Sequence, residues 1–186
     1  MTVPVRPRHA ASLILLRGEG PEAEVLMGRR PRKSRFAPDV FVFPGGAVDP
    51  ADRLTPRPLS PVCARLTQAP GRLAGALAAA AVRETFEETG LLIPEDAPLT
   101  LAARAITPTE SPVRFHARFF RTDAAHATGS LADSDELSEL AFRPLAEARQ
   151  LPLFDITEAV LDALIAGDGP FLFTYSRGRS RLTRLG

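Results

Sequence analysis

Arg83-Glu84-Thr85-Phe86-Glu87-Glu88-Thr89-Gly90-Leu91 ends an alanine-rich stretch that starts at Leu73 and contains no proline. Leu73–Thr89 therefore reads as a helix, with Gly90 at the left-handed position that closes it. At about 100° per residue, Glu84, Glu87 and Glu88 fall within an arc of roughly 100° on one side. Three like charges there repel, each neighbouring pair costing about a few tenths of a kcal/mol. They also sit at the C-terminal end, where the helix dipole disfavours negative charge. A hard cation such as Mg²⁺ or Mn²⁺ offsets both penalties, because it takes carboxylate oxygens and keeps waters for substrate phosphates. A solvated acidic face, with Arg83 and Glu87 as an ordinary i,i+4 pair, accounts for the same letters, and the helix alone leaves both readings open. Gly75, Ala79, Val82 and Phe86 fall on the opposite side, a stripe expected to pack on a sheet.

Upstream, Val40-Phe41-Val42-Phe43 is a strand candidate stopped by Pro44-Gly45-Gly46. Before it come an apolar run, Ala10 to Leu16, that fits a buried strand, a Gly18-to-Pro21 turn and a returning strand, Glu24 to Arg29. Between the glycine loop and the helix, Pro50, Pro56, Pro58, Pro61 and Pro70 mark a loop-like excursion over about 50–72, with one helical turn expected near Val62 to Leu66. Downstream, Leu91–Ile93, Leu99–Thr107, Val113–Arg121 and Glu139–Arg143 read as strands, and Asp155–Ala166 as an amphipathic helix whose inner stripe is Ile156, Val160, Leu161 and Leu164. Strands interspersed with two or three helices, without an internal repeat, give class α+β, expected as one domain over 1–186.

The string Arg83 to Leu91 resembles the core of the Nudix box, R-E-U-x-E-E-x-G-U, with all five fixed letters matched and Thr85 at an apolar position. Phe43-Pro44-Gly45-Gly46-Ala47-Val48-Asp49 looks like the glycine loop that precedes that helix. The resemblance implies a Nudix-type (MutT-type) α/β/α sandwich with a central mixed β-sheet, and a metal-dependent diphosphatase. Two departures stand out. Asp52 takes the place of the box's first glutamate, and Arg83 lies 83 − 52 = 31 positions beyond it rather than eight, so the proline-rich excursion is an insertion of 23 residues inside the box.

Carried over by position, the resemblance implies that Glu84, Glu87 and Glu88, with the Gly46 carbonyl, hold Mg²⁺ or Mn²⁺, and that Arg83 orients Glu84 or holds the loop carboxylate. Many family members add a loop glutamate as base or ligand; Glu136 is the first candidate here, Glu139 the second and Glu110 the third. Arg30, Arg35 and the F-P-G-G string partly match a segment of coenzyme A diphosphatases, and the insertion, Ile106-Thr107-Pro108 and Arg114 to Phe120 resemble their peroxisomal branch. Arg30 and Arg35 are accordingly the substrate-binding candidates, since guanidinium forks suit phosphate oxygens. Coenzyme A or an acyl-coenzyme A is the expected substrate. ADP-ribose, a dinucleotide or another nucleotide diphosphate is the alternative, and a non-catalytic nucleotide-binding module is the reading from another class.

Composition narrows the rest. The 186 residues are 45% hydrophobic and 24% charged, with net charge +1, which argues against disorder and against a basic nucleic-acid coat. Lys33 is the only lysine, so 22 of the 23 cations are arginine. The single cysteine, Cys63, excludes an internal disulfide and a multi-cysteine zinc site. No run reaches the roughly 20 apolar residues of a membrane helix, and the first residues do not resemble a signal peptide, so the expected location is the cytoplasm and the expected partner a small nucleotide rather than nucleic acid or membrane. The resemblance allows a homodimer. His9, His116 and His126 look isolated, and Ser176 to Arg181 looks like a flexible basic tail.

Overall fold

Alternation along one strand builds two cores. In the computed structural model, which describes residues 5–34, 38–111, 113–176 and 178–186, β1 (Arg8–Arg17) sends Ala11, Leu13 and Leu15 to one face of the sheet and Ile14 to the other. β2 (Glu24–Arg29), β3 (Phe41–Val42) and β4 (Gly45–Ala47) follow. The insertion forms α1 (Pro50–Leu54) and α2 (Pro61–Thr67), and α3 (Leu73–Thr89) carries the glutamates. Beyond it come β5 (Leu91–Leu92), β6 (Thr100–Ile106), β7 (Phe115–Asp123), β8 (Thr128–Gly129), β9 (Ser138–Pro144), α4 (Leu145–Ala148), α5 (Asp155–Ala166) and the hairpin β10 (Phe171–Ser176) and β11 (Arg179–Arg184).

The main sheet runs β11-β10-β6-β7-β1-β2-β3, with β4 added to β1 and β9 to β2; β5 and β8 form a separate ribbon. β1 with β7 and β10 with β6 are parallel and the other pairs antiparallel, so the sheet is mixed. α3 and the insertion helices cover one face and α5 the other, the three-layer α+β architecture expected. One irregularity positions the site. β7 lies along β1 from Arg8 to Leu16, but the other side of β1 is divided, pairing with β4 at Ala10–Ser12 and with β2 only at Leu16–Arg17. The chain turns between them at Pro44, whose carbonyl takes the Leu13 N–H at 2.9 Å. No helix among the described residues is long and apolar enough to cross a membrane.

Three expectations need correcting. The stripe of α3 that packs on the sheet is not Gly75, Ala79, Val82 and Phe86: Phe86 is 48% exposed, while Leu77, Ala81, Thr85 and Glu88 are buried. Alanines on every side leave no bulky residue to mark the seam, and α1 and α2 shelter the far side of the helix. Buried Thr85 fits the apolar position because its hydroxyl donates to the Ala81 carbonyl at 2.7 Å. The insertion holds two helices rather than one turn, since Pro50 and Pro61 stand in first turns, where a missing N–H costs nothing. Finally, of the expected Ser176-to-Arg181 tail, Ser176 ends β10 and Arg179–Arg181 open the edge strand β11, which pairs with β10 along its whole length, while Arg177 lies outside the described residues.

Candidate active site

The end of α3 meets the glycine loop at contact distance. Glu88, 3% exposed, accepts the Gly45 N–H at 2.8 Å. A Cβ built on Gly46 would stand 2.4 Å from the Glu84 carboxyl, so any side chain there would push that carboxylate out of its present place. Arg83 ties the corner together. Its Nε and Nη2 donate to the two oxygens of buried Asp52 at 3.0 Å each, its Nη1 to Glu84 at 2.9 Å and Glu87 at 2.8 Å, and its Nη2 to the Ala47 carbonyl at 3.2 Å. Arg83 thus contacts both Glu84 and the loop carboxylate of Asp52. The insertion does not separate Asp52 from Arg83, because Asp52 also closes the capping box of α1 on the Asp49 N–H at 2.7 Å, and the extra residues loop out beyond it.

Glu84, Glu87, Glu136 and Arg30 line a cleft of about 840 Å³ together with Gly45 and Gly46. Its floor is the small alternate residues of neighbouring strands, Ala10, Ser12, Ala105 and Ala117. Aromatic residues line it as well, Phe43, Phe119, Phe154, Phe173 and Tyr175, with Asp155 at the start of α5 accepting the Tyr175 hydroxyl. Those aromatics, and Arg8, which also lines the cleft, are not marked by any motif in the sequence. The only signal was alternation, which puts Arg8, Ala10 and Ser12 on one side of β1 without saying what the side faces.

The three loop glutamates separate. Glu136 reaches the cleft, on a loop held by the Ser134 hydroxyl, which accepts the Glu136 and Leu137 N–H groups. Glu139 instead pairs with Arg29 at 2.8 Å, and Glu110 lies exposed in a turn, outside the cleft lining. Arg35 falls outside the described residues.

Burial pushes the Glu88 carboxyl up to about 8, against the Gly45 hydrogen bond, and the Glu84 and Glu136 charges push the same way. Burial also raises Glu84, with Arg83 opposing it. Among the described residues no three carboxylate, imidazole or thiol groups already meet as a metal cage, since Arg83 engages Glu84 and Glu87. The donor set nevertheless fits a hard divalent cation. Carboxylates that raise one another's proton affinity at the end of a helix are stabilised by such an ion, and the Gly46 backbone lies directly against Glu84.

A family model described as the NUDIX domain matches residues 6–164. Among solved structures, a NUDIX hydrolase from Alicyclobacillus acidocaldarius is 28% identical with a TM-score of 0.68, the match covering 88% of this chain and 93% of that one. A mutator MutT protein from Bacillus halodurans is 14% identical (TM-score 0.60; 94% and 97% covered), and a MutT NUDIX hydrolase from Burkholderia pseudomallei is 20% identical (TM-score 0.58; 85% and 98% covered). The last two speak to the fold alone.

Proposed function

The chain belongs to the Nudix hydrolase family, and from that premise we propose that it hydrolyses the diphosphate linkage of coenzyme A or an acyl-coenzyme A. Hydrolysis of a nucleoside-diphosphate derivative, with a divalent ion, is what the family itself implies. The coenzyme A assignment rests on the partial sequence match around Arg30 and Arg35 and on the shape of the cleft. One observation carries the reading: carboxylates and aromatic side chains line the same roomy cleft. A volume of about 840 Å³ lies within the range typical of small-molecule sites.

In this reading Glu84, Glu87, Glu88 and the Gly46 carbonyl hold Mg²⁺ or Mn²⁺. When bound, the ion neutralises charge on the bridging and leaving oxygens of the diphosphate. Arg83 fixes the carboxylates that bind it. Glu136, on its own loop, takes the proton of the attacking water at its carboxylate. Arg30 and Arg35 hold phosphate oxygens, and the aromatic side chains receive the base, with Asp155 accepting from an exocyclic amine.

The test is a panel of coenzyme A, an acyl-coenzyme A, ADP-ribose and a dinucleotide, each incubated with Mg²⁺ or Mn²⁺ and read by product mass. Coenzyme A should give 3′,5′-ADP and 4′-phosphopantetheine with the highest kcat/KM. A higher kcat/KM for ADP-ribose or the dinucleotide would replace the coenzyme A assignment.

A further inference from the structure

Four basic side chains meet beneath the insertion, on the face of the sheet turned away from the cleft. Parallel pairing of β1 with β7 sets His9 opposite His116, and antiparallel pairing of β6 with β7 sets Arg104 opposite Arg118. The two imidazole centroids are 6.0 Å apart. Arg118 is 1% exposed and Arg104 4%. Like charges directly opposite in a sheet are unfavourable, and unpaired charges out of water are far more so.

The partners are known in detail. Arg118 donates from Nε and Nη2 to the Thr67 carbonyl, at the C-terminal end of α2, at 3.2 Å each, and from Nη1 to the His116 carbonyl at 2.9 Å and to His9 Nδ1 at 3.2 Å. Arg104 donates from Nη2 to His116 Nε2 at 3.2 Å, while its buried Nε and Nη1 have no hydrogen-bond partner among the described residues. Among the described residues neither guanidinium pairs with a carboxylate. The imidazoles serve as acceptors and stay neutral, burial and the guanidiniums pushing His116 down to about 3 and lowering His9 too. Arg6 and Arg53 add positive field at His9. The cluster thus keeps two buried positive charges with donor capacity to spare.

We propose that this cluster is an oxyanion site, separate from the cleft, in which Arg104, backed by Arg118 and the two imidazoles, takes a phosphate-type dianion. His9 and His116 are only half-buried, so the way in runs past them. The ligand chemistry fits free inorganic phosphate and the phosphate of a nucleoside monophosphate alike. The site stands independently of the coenzyme A reading.

Titration calorimetry of the intact protein with inorganic phosphate tests it, in EDTA so that no divalent ion bridges phosphate to the cleft carboxylates. A saturable one-to-one site is expected. Arg104→Gln should weaken it about tenfold or more, whereas Arg30→Gln, in the cleft, leaves it intact. Adenosine 5′-monophosphate is the second probe. If it displaces phosphate and loses affinity in Arg104→Gln, the ligand is a monoester; if phosphate alone binds, it is the free anion. In thermal melts, wild type should gain stability with phosphate. Arg104→Met, without the buried charge, should melt higher than wild type in phosphate-free buffer and ignore the anion. Absence of saturable binding, equal binding by Arg104→Gln, or loss in Arg30→Gln instead overturns the proposal. A wild-type melting temperature indifferent to phosphate does so too.

Discussion

Glu84 and Glu88 stand one helical turn apart and face the glycine loop from different depths. Glu84 is at the lip of the cleft, held by Arg83, and Glu88 lies behind it on the Gly45 N–H. Glu84→Gln keeps the shape and an oxygen for Arg83 but removes the charge. It should lower kcat about 10²–10⁴-fold with an unchanged melting temperature, by steady-state kinetics beside a thermal melt. Near-normal kcat would remove Glu84 from the catalytic set. The loop glutamates offer a paired comparison. Glu136→Gln should cut kcat about a hundredfold or more, while Glu139→Gln, which only leaves Arg29 with Asp39 as its one charged partner among the described residues, should cost less than about tenfold. The reverse order would move the proton-accepting role to Glu139. At this scale the sequence was most legible where residues are neighbours on one helix. The Arg83 contact to Glu87 is a matter of i,i+4 spacing, whereas the choice among Glu136, Glu139 and Glu110 depended on loop geometry that spacing does not encode.

The insertion is held at the level of elements by a buried arginine. Arg57, between α1 and α2, donates to the carbonyls of Ile93, Pro94 and Ala97, and its own N–H to Gly75 in the first turn of α3. Arg57→Ala would take the guanidinium donor from all three carbonyls, and the Pro94 carbonyl would keep only the Ala97 N–H. It should lower the unfolding free energy by about 2 kcal/mol and raise amide exchange in α1 and α2 while α5 stays protected. Uniform loss of protection would show that the insertion is integral to the global unfolding unit. Helix α3 was legible to the residue, because alanine content, lack of proline and a terminal Gly90 at φ 76° agree on its limits. Its buried face was not, since small residues permit close packing on several sides. The helices of the insertion were hidden by prolines that turned out to sit where helices tolerate them.

Across the whole molecule, the buried basic cluster links stability to pH. His116 falls from about 6.5 unfolded to about 3 folded, so the native state binds fewer protons than the unfolded chain across that window. Its contribution is fully present above about pH 6.5 and is lost as pH falls, with a slope of at most about 1.4 kcal/mol per unit. Urea unfolding at pH 7 and pH 5 should show wild type losing about 1–2 kcal/mol relative to His116→Gln; a pH-independent difference would mean that the imidazole titrates freely. His9 and His116 are separated by 107 positions and Arg104 and Arg118 by 14, and nothing local joins them. Parallel and antiparallel registers do, and they also make the pairs face away from the cleft. The sequence by itself determined the family, the carboxylate helix, the glycine loop and the strand-and-helix content, because those rest on short-range spacing, propensity and capping. Only the tertiary structure decided which loop glutamate enters the cleft, which aromatic residues line it, how Asp52 regains Arg83 across the insertion, and that four basic side chains share one buried site. Each of these follows from strand register and from the path of the chain between elements, where the determining contacts join residues far apart in sequence.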